Sequence, residues 1–180
     1  MFILTNPFFW AFLGMFGLVV GIALVSGIKL GQNSLLGLTT IIVCDTSRIL
    51  LVLPFCSQPR FEMGGWNWVL GGIILGIAMI FAVPALSINW RTAPDSGTVL
   101  KTDGIYRIVR NPIYLADILF SLGFAVMFRS FIGIALTPVW WAAYLCIVLV
   151  EETSLERALG QAYLDYKQKV IGRIIPGLPV

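Results

Sequence analysis

Apolar residues gather into five long runs that short polar segments separate. Each run approaches the roughly 20 apolar residues that a helix needs to cross a bilayer. The pattern therefore predicts an all-α integral membrane protein with about five transmembrane helices. The predicted spans are residues 7–28, 35–55, 66–88, 112–128 and 131–150.

The fourth run is short, and only Arg129 and Ser130 separate it from the fifth. We expect these two runs to form a helical hairpin, whose shorter arm need not cross the bilayer fully. The first run is too long for the apolar part of a signal peptide and has no basic residues before it, so it is expected to be a retained helix.

The segment after the last run has helical periodicity over residues 151–170. On a 100° wheel, Glu151 and Glu152 lie within about 60° of the centre of its apolar face. Two carboxylates on a buried face are costly unless a polar group binds them. The pattern predicts a C-terminal amphipathic helix with a polar partner. Its apolar face consists of Leu155, Ala158, Leu159, Ala162, Tyr166 and Val170.

Composition supports one membrane domain over residues 1–180. The chain is 58% hydrophobic and 12% charged, whereas a soluble domain is about 25% charged. Residues 1–88 would hold three spans, and residues 89–180 would hold a cofactor-binding loop, the hairpin and the tail. Since the chain has no histidine and only three scattered cysteines, we expect no metal site and no histidine base. No nucleic-acid partner is expected either.

Basic residues concentrate in two polar segments, 89–111 and 151–180. Since positively charged loops stay in the cytoplasm, the bias predicts an outside N-terminus, a cytoplasmic C-terminus and a cytoplasmic active site. Only Arg60 and Arg129 fall on the opposite side. The basic residues assigned to the cytoplasm are Lys29, Arg91, Lys101, Arg107, Arg110, Arg157, Lys167, Lys169 and Arg173.

Three ionisable residues fall inside predicted spans. Asp45 and Arg48 are spaced i, i+3 and can pair on one helix face. They either fix helix packing or line the entry to a lipid head-group pocket and contact substrate. Asp117 lies one turn beyond Tyr114 on the same face, where it either faces the reaction cavity or has a structural role.

Residues 104–114, GIYRIVRNPIY, precede the fourth span. Alone, they are typical of a basic interfacial anchor with Pro112 in the first helical position. Further along the chain come Glu-Glu-x-x-Leu from Glu151, Gly-x-x-Tyr-x-x-Tyr from Gly160 and Arg-x-x-Pro from Arg173. In this order, over residues 95–176, the elements resemble the isoprenylcysteine carboxyl methyltransferase and phospholipid methyltransferase superfamily.

The sequence departs from the pattern of that superfamily at three positions. Asn111 stands where many members have histidine, which weakens any role that needs an imidazole. Ala116 replaces a frequent glycine and Leu159 a frequent phenylalanine, and both look like packing changes.

The resemblance implies that S-adenosylmethionine binds between the Arg-Asn-Pro segment and the tail. Carboxylates suit its sulfonium, ammonium and ribose hydroxyls, and Arg110 suits its carboxylate. Residues 90–98 would form either a lid or a linker. The predicted catalytic residues are Arg110 and Glu152 from these motifs, together with Asp117, whose carboxylate would be costly at that depth if it faced lipid. The implied cofactor-binding residues are Gly104, Tyr106, Arg110, Asn111, Pro112, Tyr114, Glu151 and Glu152.

The resulting prediction is an S-adenosylmethionine-dependent methyltransferase that acts on a lipophilic or membrane-associated acceptor by in-line displacement. One alternative is an NADPH-dependent membrane reductase of the sterol-reductase type, although its phosphates would demand more clustered arginines. Another is a non-catalytic transporter subunit or assembly protein. The acceptor group, whether a carboxylate, an amine or a thiol, and the oligomeric state stay open.

Overall fold

The structure, a computed structural model, describes residues 2–27, 34–91 and 100–179. Within these ranges the chain is helical and forms no strand, apart from an isolated bridge between Arg60 and Ser130. A short 3-10 helix, Gly104–Arg107, precedes α4. The six α-helices are α1 (Pro7–Gly27), α2 (Ser34–Val52), α3 (Trp66–Arg91), α4 (Pro112–Met127), α5 (Phe131–Leu159) and α6 (Gln161–Lys169).

Consecutive long helices run antiparallel. Gly17 of α1 packs on Cys44 of α2, and the Asn67 side chain at the start of α3 donates to the Met127 carbonyl at the end of α4, at 2.7 Å. Helices α2 and α4 therefore run parallel to each other. Residues 100–111 and 151–179 lie at one end of the bundle, which we call the site end, and the connections 53–65 and 128–130 lie at the other, the turn end.

The helices begin within one residue of the predicted apolar runs, and α5 continues nine residues beyond the predicted end of its run. Two of the described helices are long and apolar enough to cross a membrane: α3 over Trp66–Ile88, and α5. The apolar stretch of α1, Pro7–Gly21, and helix α4 are shorter. With 16 residues, α4 extends about 24 Å, less than the roughly 30 Å of bilayer hydrocarbon. The count of five spans remains a prediction.

Helix α3 exposes large apolar side chains along its length, including Trp68, Ile73, Ile77 and Ile80. An apolar surface of this extent is unusual on a soluble monomer and suits contact with lipid.

Arg129 and Ser130 form the predicted tight turn between α4 and α5. Arg129 adopts the left-handed conformation with φ 56°. The Ser130 hydroxyl accepts a hydrogen bond from the Gly133 backbone N–H at 2.9 Å, which caps the first turn of α5.

The prediction of one continuous amphipathic helix over residues 151–170 is wrong, because the structure divides this segment between two helices. Gly160, with φ 55°, ends α5, and α6 starts in a new direction. Ala158, which lies before the break, is exposed although the wheel placed it on the apolar face. After the break the helical phase changes, so that Ala162 is exposed and Tyr163 is buried. Tyr163, Tyr166 and Val170 pack against Leu100, Leu155 and Leu159.

Arg60, one of the two basic residues outside the predicted cytoplasmic face, has a structural role at the turn end. Its guanidinium donates to the carbonyls of Val52, Leu53 and Phe128. These carbonyls follow the last turns of α2 and α4, where helix acceptors lack intrahelical partners. Arg60 thus ties together the C-terminal ends of two parallel helices.

Candidate functional site

Arg110 joins the loop before α4 to the tail. Its Nε donates to Glu152 Oε1 at 2.8 Å, and its Nη1 donates to the carbonyls of Val170 and Ile171 at 2.6 and 3.0 Å. The Arg110 and Glu152 side chains are only 4% and 3% exposed. A buried ion pair of this kind needs further hydrogen bonds to offset its desolvation, and here two tail carbonyls accept from Nη1.

Glu152 also accepts hydrogen bonds from Arg173 and, at 3.5 Å, from the side-chain amide of Asn111. Arg173 Nε donates to Glu152 Oε2 at 3.1 Å, and the Asn111 amide donates to the Arg173 carbonyl at 3.1 Å. The backbone N–H groups of Arg110 and Asn111 donate to the carbonyls of Gly172 and Arg173. Three sequence elements that lie far apart in the chain therefore meet at one carboxylate. We call Arg110, Asn111, Glu152 and Arg173 the tail cluster.

Glu151, the neighbouring carboxylate, has a different environment. Its Oε1 accepts a hydrogen bond from the Tyr114 hydroxyl at 2.7 Å, and the residue is half-buried. The Tyr114 ring packs at a tilt on the Tyr144 ring, with 5.3 Å between centroids. Glu151 is therefore the more accessible of the two adjacent acids.

A second group of charges lies further from the site end, between helices α2, α4 and α5. Arg48 Nη2 donates to Asp117 Oδ2 at 2.6 Å and also to Asp45. The Tyr144 hydroxyl donates to Asp117 as well. We call Asp45, Arg48, Asp117 and Tyr144 the interhelix cluster. The predicted pair Asp45 and Arg48 is present, and Asp117 joins it from α4.

Burial of the tail tyrosines raises the pKa of the Tyr163 and Tyr166 phenols, because the phenolate would lose its hydration. The Tyr166 hydroxyl donates to the Tyr106 carbonyl at 2.7 Å. This bond fastens α6 to the 3-10 helix.

The remaining predicted cofactor residues lie at the edge of the site. Tyr106 is buried in a cluster with Ala85 of α3, so its ring is packed against protein. Gly104 begins the 3-10 helix with φ 58° and is exposed. Pro112 is buried at the start of α4. The lid or linker predicted at residues 90–98 falls mostly outside the described residues.

Two residues of these clusters, Arg173 and Tyr144, and the neighbouring Trp140 had no role in the sequence-based prediction. Arg173 was visible only as part of the Arg-x-x-Pro element. Tyr144 and Trp140 are spaced i, i+4 on α5, and their ring centroids lie 5.4 and 6.0 Å from the Arg48 guanidinium carbon. Aromatic residues at this spacing are also typical of simple core packing, so the pattern alone could not identify them.

Comparison with known families is consistent with this arrangement. Residues 66–162, more than half of the chain, match the model of the phospholipid methyltransferase family. The chain belongs to the phospholipid methyltransferase family. The resemblance inferred from its motifs is confirmed, and a member of this family with apolar helices such as α3 and α5 is membrane-associated.

Relatives of this phospholipid methyltransferase family member include the Protein-S-isoprenylcysteine O-methyltransferase B of Arabidopsis thaliana, which is 30% identical over 103 residues, 57% of this chain and 52% of the relative. The Protein-S-isoprenylcysteine O-methyltransferase of Schizosaccharomyces pombe is 29% identical over 102 residues, 56% of this chain and 43% of the relative. The chain thus spans about half the length of the curated relatives it matches. No solved structure matches it.

Proposed function

We propose that this protein transfers a methyl group from S-adenosylmethionine to a lipophilic acceptor at the membrane. The observation that carries the proposal is the convergence of three separate motif elements at Glu152, directly beside the half-buried Glu151. Family membership supports the reaction class, and the name of the relatives, isoprenylcysteine O-methyltransferase, supports a lipid-bearing acceptor.

The residues at the site end fit this cofactor. Glu151 keeps one carboxylate oxygen without a side-chain hydrogen bond in the described part of the chain, next to the Tyr114 hydroxyl. This pair can accept from an ammonium or a ribose hydroxyl. Arg173 uses its Nε for Glu152 but is 21% exposed, so its terminal nitrogens can bind a carboxylate. Glu152 and Arg110 act as positioning residues, because their polar atoms are engaged with each other and the tail.

The bound cofactor supplies an electrophilic methyl group on a sulfonium. The chain contributes alignment and exclusion of water. Glu151 and Tyr114 hold the donor side, and Asp117 faces a cavity on the acceptor side, one helical turn from Tyr114. Because Asp117 accepts from both Arg48 and Tyr144, it keeps a fixed orientation.

The arginine contacts disfavour the reductase alternative. NADPH would need several free guanidinium groups for its phosphates. Arg110 donates to Glu152 and to two tail carbonyls, and Arg173 shares the same carboxylate. These contacts build the site around carboxylates rather than around a phosphate-binding group.

The proposal includes the finer topology. Helices α1–α5 lie in the bilayer as five spans, with α4 and α5 as a hairpin, and residues 89–180 form the cofactor-binding half. The site end faces the cytoplasm, because its segments carry most basic residues. Cysteine labelling from each side of sealed vesicles tests this, with single cysteines placed at Glu62 and Lys169; labelling of both from the same side contradicts it.

Thermal shift on the detergent-purified chain tests the cofactor. S-adenosylhomocysteine is expected to raise Tm, while NADPH leaves Tm unchanged, because only a ligand that binds the folded state stabilises it. Glu151→Gln should abolish the shift without lowering the Tm of the free protein. The matched control is Glu62→Gln, an exposed acid at the turn end, which should keep the full shift. A shift with NADPH alone, or an undiminished S-adenosylhomocysteine shift in Glu151→Gln, contradicts the proposal.

A further inference from the structure

Helices α2 and α4 leave a gap between them beside the interhelix cluster. The two helices contact each other at few positions, and a cavity of about 240 Å³ lies between them. This volume is below the range of about 300–1,000 Å³ that is typical of pockets for complete small ligands. The cavity is lined by Asp45, Arg48, Ile49, Asp117, Phe120, Ser121 and Phe124.

Arg48 lines this cavity with unused hydrogen-bonding capacity. The residue is 4% exposed, yet its Nε and Nη1 N–H groups have no hydrogen-bond partner among the described residues. The rings of Trp140 and Tyr144 offset part of the cost of burying its charge, but a ring supplies no lone pair. Buried donors normally have an acceptor in the protein or in a bound molecule. Nε and Nη1 are themselves almost inaccessible, so the guanidinium must turn toward the cavity that Arg48 lines before a ligand with a lone pair can accept from them.

The charge of the cluster restricts the ligand further. Asp45 and Asp117 share the single guanidinium of Arg48, so the ionised cluster has an excess of one negative charge. A negatively charged group in the cavity would be repelled by two carboxylates at low dielectric. Asp45 is 43% exposed and Asp117 23%, so both can accept hydrogen bonds from the cavity.

We propose that this cavity binds the polar end of the methyl acceptor and selects a head group that has no net negative charge, offers a lone pair to Arg48 and donates an N–H or O–H to Asp45 or Asp117. The inference rests on the proposed methyl transfer for the role of the ligand, but its binding chemistry is independent of that role. The hydrocarbon part of the ligand stays in lipid beside Ile49, which is exposed at the rim.

The position of the cavity agrees with an acceptor subsite. Asp117 contacts the Tyr144 hydroxyl, Tyr144 packs on Tyr114, and Tyr114 binds Glu151 on the proposed donor side. Asp45 and Arg48 come from α2, which lies outside the stretch that matches the family, residues 66–162. The N-terminal helices thus supply the residues that select the charge of the acceptor, and the part of the chain that matches the family supplies the rest of the site.

Binding of three amphiphiles that share one alkyl chain tests the proposal without requiring turnover. They end in a primary amide, a primary amine or a carboxylate, and calorimetry measures their Kd for the full-length chain with S-adenosylhomocysteine. The amide, which is neutral and both donates and accepts, should bind about tenfold or more tightly than the carboxylate. The amine lacks the lone pair when protonated and should fall between them. A carboxylate that binds as tightly as the amide overturns the proposal.

Asp45→Asn is the decisive variant, because its half-exposed side chain tolerates an isosteric change. Removal of the excess charge should bring the amide and carboxylate Kd values within about threefold of each other. Glu62→Gln removes one negative charge at the turn end and should keep the wild-type ratio. Arg48→Lys retains the charge but loses the donor fork, so it should weaken amide binding about tenfold.

An unchanged ratio in Asp45→Asn contradicts the charge selection, even if Arg48→Lys does not fold. The two proposals fail separately. A missing S-adenosylhomocysteine shift in the wild type removes the methyl-transfer role, whereas an intact shift with no amide preference removes only the acceptor subsite.

Discussion

The tail cluster and the interhelix cluster are each built around a buried arginine that pairs with carboxylate, but they use their charges differently. In the tail cluster the donors of Arg110 reach Glu152 and two backbone carbonyls. In the interhelix cluster Arg48, which lines a cavity, keeps two buried N–H groups that have no hydrogen-bond partner in the part of the chain that the structure describes. The difference indicates that the tail cluster uses its charges to hold the structure together, while the interhelix cluster keeps polar groups that a ligand can use.

The largest effect is expected when the tail cluster loses its carboxylate. Glu152→Gln leaves Arg110 buried without an anion, which should destabilise the fold by about 3–5 kcal/mol, since removing one partner of a buried pair strands the other charge. Thermal unfolding in detergent measures the change. Glu156→Gln is the matched control, because Glu156 pairs with Lys167 at a partly exposed position, where an ion pair contributes about 0–1 kcal/mol. Equal Tm values for the two variants would break the comparison.

A change in the interhelix cluster should affect activity more than stability. Asp117→Asn keeps an acceptor oxygen for Arg48 and leaves the Asp45 pair in place, so Tm should fall less than in Glu152→Gln. Methyl transfer should fall about tenfold or more, because misplacement of a reacting group is costly. Initial rates with deuterium-labelled cofactor measure it, and Asp165→Asn, an exposed acid on α6, is the control. Normal turnover in Asp117→Asn would assign this residue a purely structural role.

The smallest effect concerns the neutral hydrogen bond that supports the tail cluster. Tyr166→Phe removes the bond to the Tyr106 carbonyl and should cost about 1 kcal/mol. Folding raises the pKa of the Tyr166 phenol above its usual value near 10. Its contribution is therefore complete below about pH 10 and is lost as the pH rises through the higher folded-state pKa.

Tm measured between neutral pH and pH 11 should accordingly decline less steeply in Tyr166→Phe than in the wild type. The buried Tyr163 phenol still titrates, so part of the decline should remain. Identical alkaline slopes would show that Tyr166 stays protonated or that the tail detaches by another route.

The sequence predicted the helices well because lipid-exposed helices carry a strong local signal. The start of α4 at Pro112 and the turn at Arg129 and Ser130 follow from residue chemistry that acts within a few positions. The order of the family motifs predicted that Arg110 and Glu152 lie near each other, but it did not predict that they form an ion pair.

Other features depend on long-range geometry that no local pattern encodes. The break at Gly160 was missed because a wheel assumes one continuous helix, and the residues flanking the glycine fit that period. The contact between Arg48 and Asp117 joins residues 69 positions apart. The i, i+3 spacing therefore predicted only the pair of Arg48 with Asp45.

The contacts of Arg60 determine at which end helices α2 and α4 can separate. The guanidinium ties the C-terminal ends of both helices together, and the ion pair of Arg48 and Asp117 forms a second bridge between the same helices. Two parallel helices that are tied at one end and bridged at a second place can separate at their free ends when that bridge is lost. Spin labels at Leu35 and Ile113 should therefore move apart when the bridge is removed by Asp117→Ala, while labels at Phe55 and Phe131 should keep their separation.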